Sequence, residues 1–294
     1  MKDELGLPNL STRKVKVGGR CIQLSEAGEG PPVLMLHGGG PGASGVSNYT
    51  RNIAALARHF RVLVPDMPGY GQSTKGIDRS DPFGDLAGSM AGLLDALRIE
   101  RTHLIGNSLG GACALRLTLD HPDRAARLVL MGPGGVDTTR SLPTPGLKRL
   151  LDYYNGDGPS MDKLTRFIRG DLVYDGTQVD AAVIAERYRS SVDPQVVAAP
   201  PLRRPAGWPK FRKLDFTRDP RLQQCDTPTL VLWGTEDKVN RPSGAQSLQK
   251  RMRRCDVHLF SETGHWVQWE RAAQFNAVTS AFLLEHGAAP ARQP

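Results

Sequence analysis

The run Leu104-Ile105-Gly106-Asn107-Ser108-Leu109-Gly110-Gly111 carries an apolar, strand-like segment through Gly-x-Ser-x-Gly directly into a helix-like one. A strand that feeds a helix without a loop must turn a sharp corner. Ser108 stands at that corner in a strained conformation with its hydroxyl exposed, and glycines at 106 and 110 let neighbouring backbone pass without a Cβ clash. In a chain with 32 glycines the motif by itself is a weak signal. Its weight comes from its surroundings.

Short β-rich runs recur along the chain: Val15 to Val17, Cys21 to Leu24, Val33 to Leu36, Val62 to Val64, His103 to Ile105, Leu128 to Met131, Leu230 to Trp233 and Val257 to Phe260. Helical patterns separate several of them, notably Asp85 to Leu97, with Leu86, Met90, Leu93, Leu94 and Leu97 on one face, and Ser108 to Leu119 after the corner. This alternation predicts a mainly parallel sheet covered by helices, with the first two strands paired antiparallel through Gly18-Gly19. Between Gly132 and about Pro209 the alternation fails. That stretch reads as helical pieces broken by Pro143, Pro145, Gly156, Gly158, Gly170, Pro194 and Pro200-Pro201, an inserted cap at the carboxyl ends of strands, where open α/β sheets bind ligands. The predicted division is residues 1–134 and 210–294 as the two parts of the core and 135–209 as the cap. Gly287 to Pro294 reads as a loose tail.

Composition narrows the class. At 294 residues, 39% hydrophobic and 23% charged, the chain suits a globular enzyme-sized domain. Met1-Lys2-Asp3-Glu4-Leu5 and Pro8 do not form a signal-peptide core, and no apolar run is long enough to span a bilayer, so the expected setting is the cytoplasm, away from membranes. The four cysteines, Cys21, Cys113, Cys225 and Cys255, lack disulfide or zinc-ligand spacing. The net charge of +8 is spread along the chain with short clusters at Arg203-Arg204 and Lys250 to Arg254. Without a nucleic-acid motif it predicts a solvated basic surface, compatible with steering an anionic substrate.

A serine hydroxyl becomes a useful nucleophile only when a base takes its proton, so the corner predicts an acid and a histidine downstream in the order Ser, Asp, His. Asp237 follows the Leu230 to Trp233 strand in Gly234-Thr235-Glu236-Asp237, and His265 follows the Val257 to Phe260 strand in Thr263-Gly264-His265-Trp266. His265 is the expected base and Asp237 its orienting acid, with Glu236 as rival. A tetrahedral intermediate also needs two N–H donors. One is expected from Leu109, directly after the serine, and the other from the glycine loop His37-Gly38-Gly39-Gly40-Pro41-Gly42-Ala43, with Gly39 the choice and Gly40 beside it.

These motifs, together with Ser47-Asn48-Tyr49, Met131-Gly132-Pro133-Gly134-Gly135 and Gly264-His265-Trp266-Val267-Gln268-Trp269-Glu270, resemble the α/β-hydrolases, and specifically the meta-cleavage-product hydrolases, over nearly the whole chain. The resemblance implies an α/β-hydrolase fold, a mostly parallel eight-stranded sheet with helices on both faces and an inserted helical cap. It implies hydrolysis of a carbon–carbon bond in a 2-hydroxy-6-oxo-hexa-2,4-dienoate during aromatic catabolism, with no metal or organic cofactor. Arg187, in Glu186-Arg187-Tyr188, matches the arginine that holds the carboxylate-enol end, with Arg189 close by. Asn48, Asn107 and Trp266 match polar residues of that end, as does Thr177 in the cap, while Gly39 and Gly40 border the substrate. Leu172 stands where some relatives with aryl substrates carry phenylalanine. A 6-aryl substrate is the reading favoured, with steroid-derived and 6-alkyl products as alternatives, and a homodimer or larger homo-oligomer is implied.

Other readings share some of these motifs. A serine esterase or an iminopeptidase has a similar elbow and glycine loop, but Arg187 and Asn107 favour an acidic dienoate. A small-molecule receptor built on the same fold is the non-enzymatic alternative. Haloalkane-dehalogenase and epoxide-hydrolase chemistry would need an aspartate at position 108.

Overall fold

The structure, a computed structural model, describes residues 10–139, 142–203 and 214–285. The expected tail from Gly287 and residue Arg204, like the end of the predicted insertion, lie outside them. Among the described residues eight strands form one sheet in the order β1-β2-β4-β3-β5-β6-β7-β8. They are β1 (Ser11–Val17), β2 (Arg20–Ala27), β3 (Pro32–Leu36), β4 (Arg61–Pro65), β5 (Thr102–Asn107), β6 (Ala125–Met131), β7 (Thr229–Gly234) and β8 (Cys255–Phe260). β1 pairs antiparallel with β2, and β2 antiparallel with β4; every other neighbouring pair is parallel. All eight predicted runs are strands. β1 begins earlier than its apolar part because Ser11 to Lys14, exposed on a sheet edge, still pair with Glu26 to Gln23.

Central strands read as unbroken apolar runs because helices cover both faces. Short helices α1 (Gly45–Tyr49) and α2 (Ile53–Leu56) follow β3, and α3 (Pro82–Ala96) and α4 (Leu109–Asp120) flank β5. α3 starts before the predicted Asp85: the Asp81 side chain accepts from the Gly84 N–H and Pro82 occupies the first turn, where its missing N–H costs nothing. Asp81 also accepts from both terminal guanidinium nitrogens of Arg116 on α4, at 2.9 and 3.0 Å, which ties the two helices together. Leu86, Met90, Leu93 and Leu94 of α3 and Leu115 of α4 are buried with Leu34, Leu36 and Leu104 in one apolar cluster; Val33, Met35, Ile105 and Phe275 belong to the cluster on the opposite face.

The segment between β6 and β7 contains no strand among its described residues. It holds α5 (Pro145–Asp152), α6 (Met161–Phe167), a π-helical turn at Ile168–Leu172, α7 (Ala181–Ser191) and α8 (Pro194–Ala198). Each of α5, α6 and α8 is opened by a side-chain cap, from Thr144, Ser160 and Asp193. These elements have an apolar cluster of their own, with Leu164, Phe167, Ile168 and Ile184, and that cluster takes in Trp266 and Trp269 from beyond β8. At the neck, the Phe216 N–H donates to the Gly135 carbonyl at 2.7 Å, and Asp215 accepts from the Thr139 and Thr217 backbone and hydroxyl groups. After it come α9 (Arg221–Gln224), α10 (Ser243–Gln249), α11 (Val267–Glu270) and α12 (Ala272–Leu284).

Candidate active site

Ser108 sits between β5 and α4 with φ 53° and ψ −112°, a conformation that a non-glycine residue holds only when its surroundings enforce it. Those surroundings are specific. The Ser108 N–H donates to the Met131 carbonyl and the Ser108 carbonyl accepts from the Ala112 and Gly134 N–H groups, each at 2.9 Å. A Cβ on Gly106 would meet the Gly110 carbonyl, and one on Gly110 would meet the Leu36 carbonyl. The two glycines of the motif are therefore required by backbone contact on either side of the serine.

Asp237 and His265 lie beyond the carboxyl ends of β7 and β8. Nδ1 of His265 is 2.7 Å from Oδ2 of Asp237. A carboxylate only accepts, so Nδ1 carries the proton and Nε2 presents its lone pair. Nε2 is buried without a hydrogen-bond partner among the described residues, and His265 and Ser108 line the same cavity. Oδ1 of Asp237 accepts from the Val239 and Asn240 N–H groups, both at 2.8 Å. Glu236, the rival acid, is exposed and accepts from the Thr235 hydroxyl. Gly132 packs against the pair: a Cβ there would lie 3.0 Å from Asp237 Oδ2 and 3.2 Å from the His265 ring.

Leu109 opens α4, so its N–H has no helical acceptor. The glycine loop passes directly above: a Cβ on Gly38 would lie 3.6 Å from Ser108 Cβ, and one on Gly39 would lie 3.1 Å from the Leu109 side chain. His37 pins this loop. Its Nδ1 donates to the Gly38 carbonyl at 2.8 Å and its Nε2 accepts from the Met67 N–H at 2.9 Å. Burial pushes the His37 imidazole below its ordinary range, only partly countered by the charge of Asp66, so the neutral ring that this bonding requires is also the favoured one. The Tyr70 hydroxyl donates to the Gly39 carbonyl at 3.2 Å. Neither His37 nor Tyr70 was singled out as a site residue by sequence, although His37 stands directly before the glycines.

Arg187, on α7, is buried and reaches across to the glycine loop, where its Nε donates to the Pro41 carbonyl at 3.1 Å. A Cβ on Gly40 would lie 2.6 Å from a terminal guanidinium nitrogen, so the triple glycine also makes room for this arginine. No carboxylate pairs with Arg187 among the described residues. Burial accordingly pushes its pKa down to about 10. Its guanidinium carbon lies 5.4 Å from the Trp266 ring centroid, and Trp266 stacks on Trp269 at 5.1 Å. Asn48 and Trp266 line the same cavity, and Asn48 Nδ2 and Trp266 Nε1 are buried with no hydrogen-bond partner among the described residues. Asn107, also in the lining, makes only long 3.4 Å contacts to the Met131 and His265 carbonyls.

Of the expected site residues, Ser108, His265, Gly39, Gly40, Asn48, Asn107, Arg187 and Trp266 share one cavity, with Asp237 and Leu109 directly behind it. Thr177 does not join them. It is exposed on the turn Gly176–Gln178, where its N–H and hydroxyl both bond Asp175, a local Asx-type turn that uses up the side chain. Beside Gly38 of the glycine loop, Leu150, Phe167 and Leu172 from the insertion line the cavity as well. Of these three, only Leu172 had drawn notice in the sequence. Its carbonyl accepts the His265 N–H at 2.8 Å, and Glu270 accepts from Tyr174 and Gly264 N–H groups, so the insertion is fastened to the histidine loop from both sides.

A strained serine at a strand-to-helix corner, an aspartate-held imidazole and a glycine loop packed over the serine define a serine hydrolase of α/β-hydrolase architecture. The α/β-hydrolase fold family matches residues 31–272. A 2-hydroxy-6-oxo-6-phenylhexa-2,4-dienoate hydrolase of Comamonas testosteroni is 37% identical over 273 residues, covering 90% of this chain and 91% of that protein. Among solved structures, a serine hydrolase from the polyaromatic-hydrocarbon-degrading bacterium Cycloclasticus zankles superposes with a TM-score of 0.85 at 30% identity, covering 94% of this chain and 98% of that one. A meta-cleavage product hydrolase from Pseudomonas fluorescens gives 0.82 at 29% identity, covering 94% and 98%. The chain belongs to the α/β-hydrolase family, and within it to the meta-cleavage-product hydrolases.

Proposed function

We propose that this hydrolase cleaves the C5–C6 bond of a 2-hydroxy-6-oxo-hexa-2,4-dienoate that bears an organic substituent at C6, as the 6-phenyl compound does. The observation that carries this reading is Arg187, a buried guanidinium without a carboxylate partner among the described residues, in one cavity with Ser108. A buried unpaired charge is costly, and a planar carboxylate is the ligand that best repays it. Asn48 Nδ2 and Trp266 Nε1 are further donors lacking acceptors, suited to the oxygens at the same end of the substrate.

Carbon is a poor leaving group, so the dienol is first ketonised, its hydroxyl proton leaving as C5 gains one. The Ser108 hydroxyl then attacks the C6 carbonyl and passes its proton to His265 Nε2. The Leu109 and Gly39 N–H groups hold the resulting oxyanion. C5–C6 breaks with its electron pair flowing toward the carboxylate end, where Arg187 stabilises the charge of the departing dienolate. The dienolate takes the proton from His265 Nε2, the freed imidazole deprotonates water, and the hydroxide releases the acyl group as a carboxylic acid while the proton returns to the Ser108 oxygen.

Residues 135–209 act in this reading as the cap that closes over the substrate. No helix of the described residues is long and apolar enough to cross a membrane. A cytoplasmic homodimer or larger homo-oligomer is part of the same proposal, and light scattering on the purified protein tests the assembly. Activity is tested by bleaching of the yellow 6-phenyl dienoate without added cofactor. Rapid turnover of p-nitrophenyl esters with no activity on any dienoate overturns the proposal in favour of an esterase.

A further inference from the structure

Ser108 and Leu109 border a second cavity, of about 500 Å³, whose lining does not include Arg187. Its walls are largely apolar, with Phe83 and Leu109 from the core and Val136, Leu147, Leu151 and Leu202 from the insertion. Phe83 is stacked on Phe216, ring centroids 5.3 Å apart, and Gly135 lies between chain and rings where a Cβ would strike both. An apolar cavity of about 150 Å³ is enough to bind benzene, whereas pockets of roughly 300–1,000 Å³ take molecules of drug size. A lone phenyl ring would therefore leave most of this hydrocarbon wall facing water, and each uncovered area forfeits binding in proportion.

The same cavity has a basic opening. Arg79, Arg203 and Arg241 line it, against Asp137 as the sole acidic residue of the described lining. Arg79 and Arg241 are exposed, which places them at the mouth. Asp137 already accepts the Ser247 hydroxyl. The buried Nε of Arg203 has no hydrogen-bond partner among the described residues.

We propose that the substituent at C6 is a fused-ring unit larger than a single ring and carries an anionic group, a carboxylate, at its far end. This rests on the dienoate reading above. Arg187 holds the first carboxylate, the apolar walls cover the rings, and Arg203 with Arg241 receives the second carboxylate. Hydrolysis then yields the acyl portion as a dicarboxylic acid.

The test compares dienoates with a phenyl, an uncharged bicyclic and a carboxylated bicyclic group at C6. Each step of that series should raise kcat/KM by at least about tenfold. In the Arg203→Gln, Arg241→Gln double variant, the preference for the carboxylated over the uncharged bicyclic substrate should fall about tenfold, and 0.5 M salt should erode it in the wild type. Leu147→Trp should lower the ratio of bicyclic to phenyl turnover. A phenyl substrate turned over as well as the bicyclic ones overturns the size assignment, and no gain from the carboxylate overturns the charge assignment. The wild-type series decides both even where a variant fails to fold. Failure on all three dienoates, by contrast, condemns the underlying dienoate reading.

Discussion

The indole Nε1 of Trp233 donates to Oδ2 of Asp237 at 2.9 Å, the same oxygen that receives Nδ1–H of His265. With Val239 and Asn240 on Oδ1, the carboxylate is gripped by donors on both oxygens and can face the imidazole in one orientation only. Trp233→Phe keeps the apolar bulk and removes one charge-assisted bond, a loss of about 1.5–3 kcal/mol, so kcat should drop roughly ten- to a hundredfold with KM nearly constant. Steady-state kinetics on the dienoate separate this from a substrate-binding role, which would move KM instead.

Replacing Ser108 by alanine should abolish C–C cleavage while substrate still binds. Asp237→Asn should lower kcat by about 10⁴-fold, since it offers the imidazole the wrong tautomer. Stopped-flow spectra would show bound, uncleaved chromophore with Ser108→Ala; His265→Ala should slow ketonisation as well. Unimpaired turnover by Ser108→Ala would remove that residue from the mechanism.

Arg187→Ala should cost about 2–5 kcal/mol of transition-state stabilisation on a dienoate, some 30- to several-thousand-fold in kcat/KM. Lysine should rescue little, because it keeps the charge without the planar fork. A small neutral ester has no carboxylate to hold and should be turned over nearly as before. Equal losses on ester and dienoate mean that Arg187 only supports the insertion.

The same side chain carries a stability penalty. Arg187 is buried with its charge unpaired among the described residues, so Arg187→Met, similar in length and apolar, should raise the unfolding free energy by about 1–3 kcal/mol as activity disappears. Urea denaturation of the two proteins checks this. A less stable Met variant shows that the Pro41 and Trp266 contacts outweigh the desolvated charge.

His103 on β5 contributes to the acid side of the stability curve. Burial, with Arg127 and Arg101 nearby, pushes its imidazole from 6.5 down to about 4. Between those values the unfolded chain binds a proton that the folded chain refuses, so this residue takes stability away as pH falls from about 6.5 toward 4. In His103→Leu the urea midpoint should decline less between pH 7 and pH 5 than in the wild type. An identical decline assigns the acid sensitivity elsewhere.

Much of this architecture is written in local pattern, for physical reasons that differ by element. β3, β5, β6 and β7 are buried on both faces and announce themselves as apolar runs. β1 and the start of α3 were read short because their outer residues are polar and are held by ladder pairing or by an aspartate cap. Short helices such as α1 and α11 carry too few turns to show a period. At the site, Ser108, Asp237 and His265 were legible because each closes off a strand, and Leu109 follows from its place after the serine. Glu270, Tyr70 and Trp233 were not, since their roles depend on loops brought together from distant parts of the chain. Arg187 was reached through family resemblance, and nothing in the spacing of α7 distinguishes it from Arg189. Thr177 shows the opposite failure: a plausible side chain was captured by its own turn.

Trp266 directly follows His265 and Trp269 lies on α11 just beyond it, yet both are packed into the apolar cluster of the insertion. The insertion is contiguous in sequence but not self-sufficient in hydrocarbon. Exchanging it with that of a relative, a natural route to new specificity, would therefore leave two indoles facing a surface they were not shaped for. Successful recombination has to carry both stretches together, and heating should melt insertion and sheet in a single cooperative step.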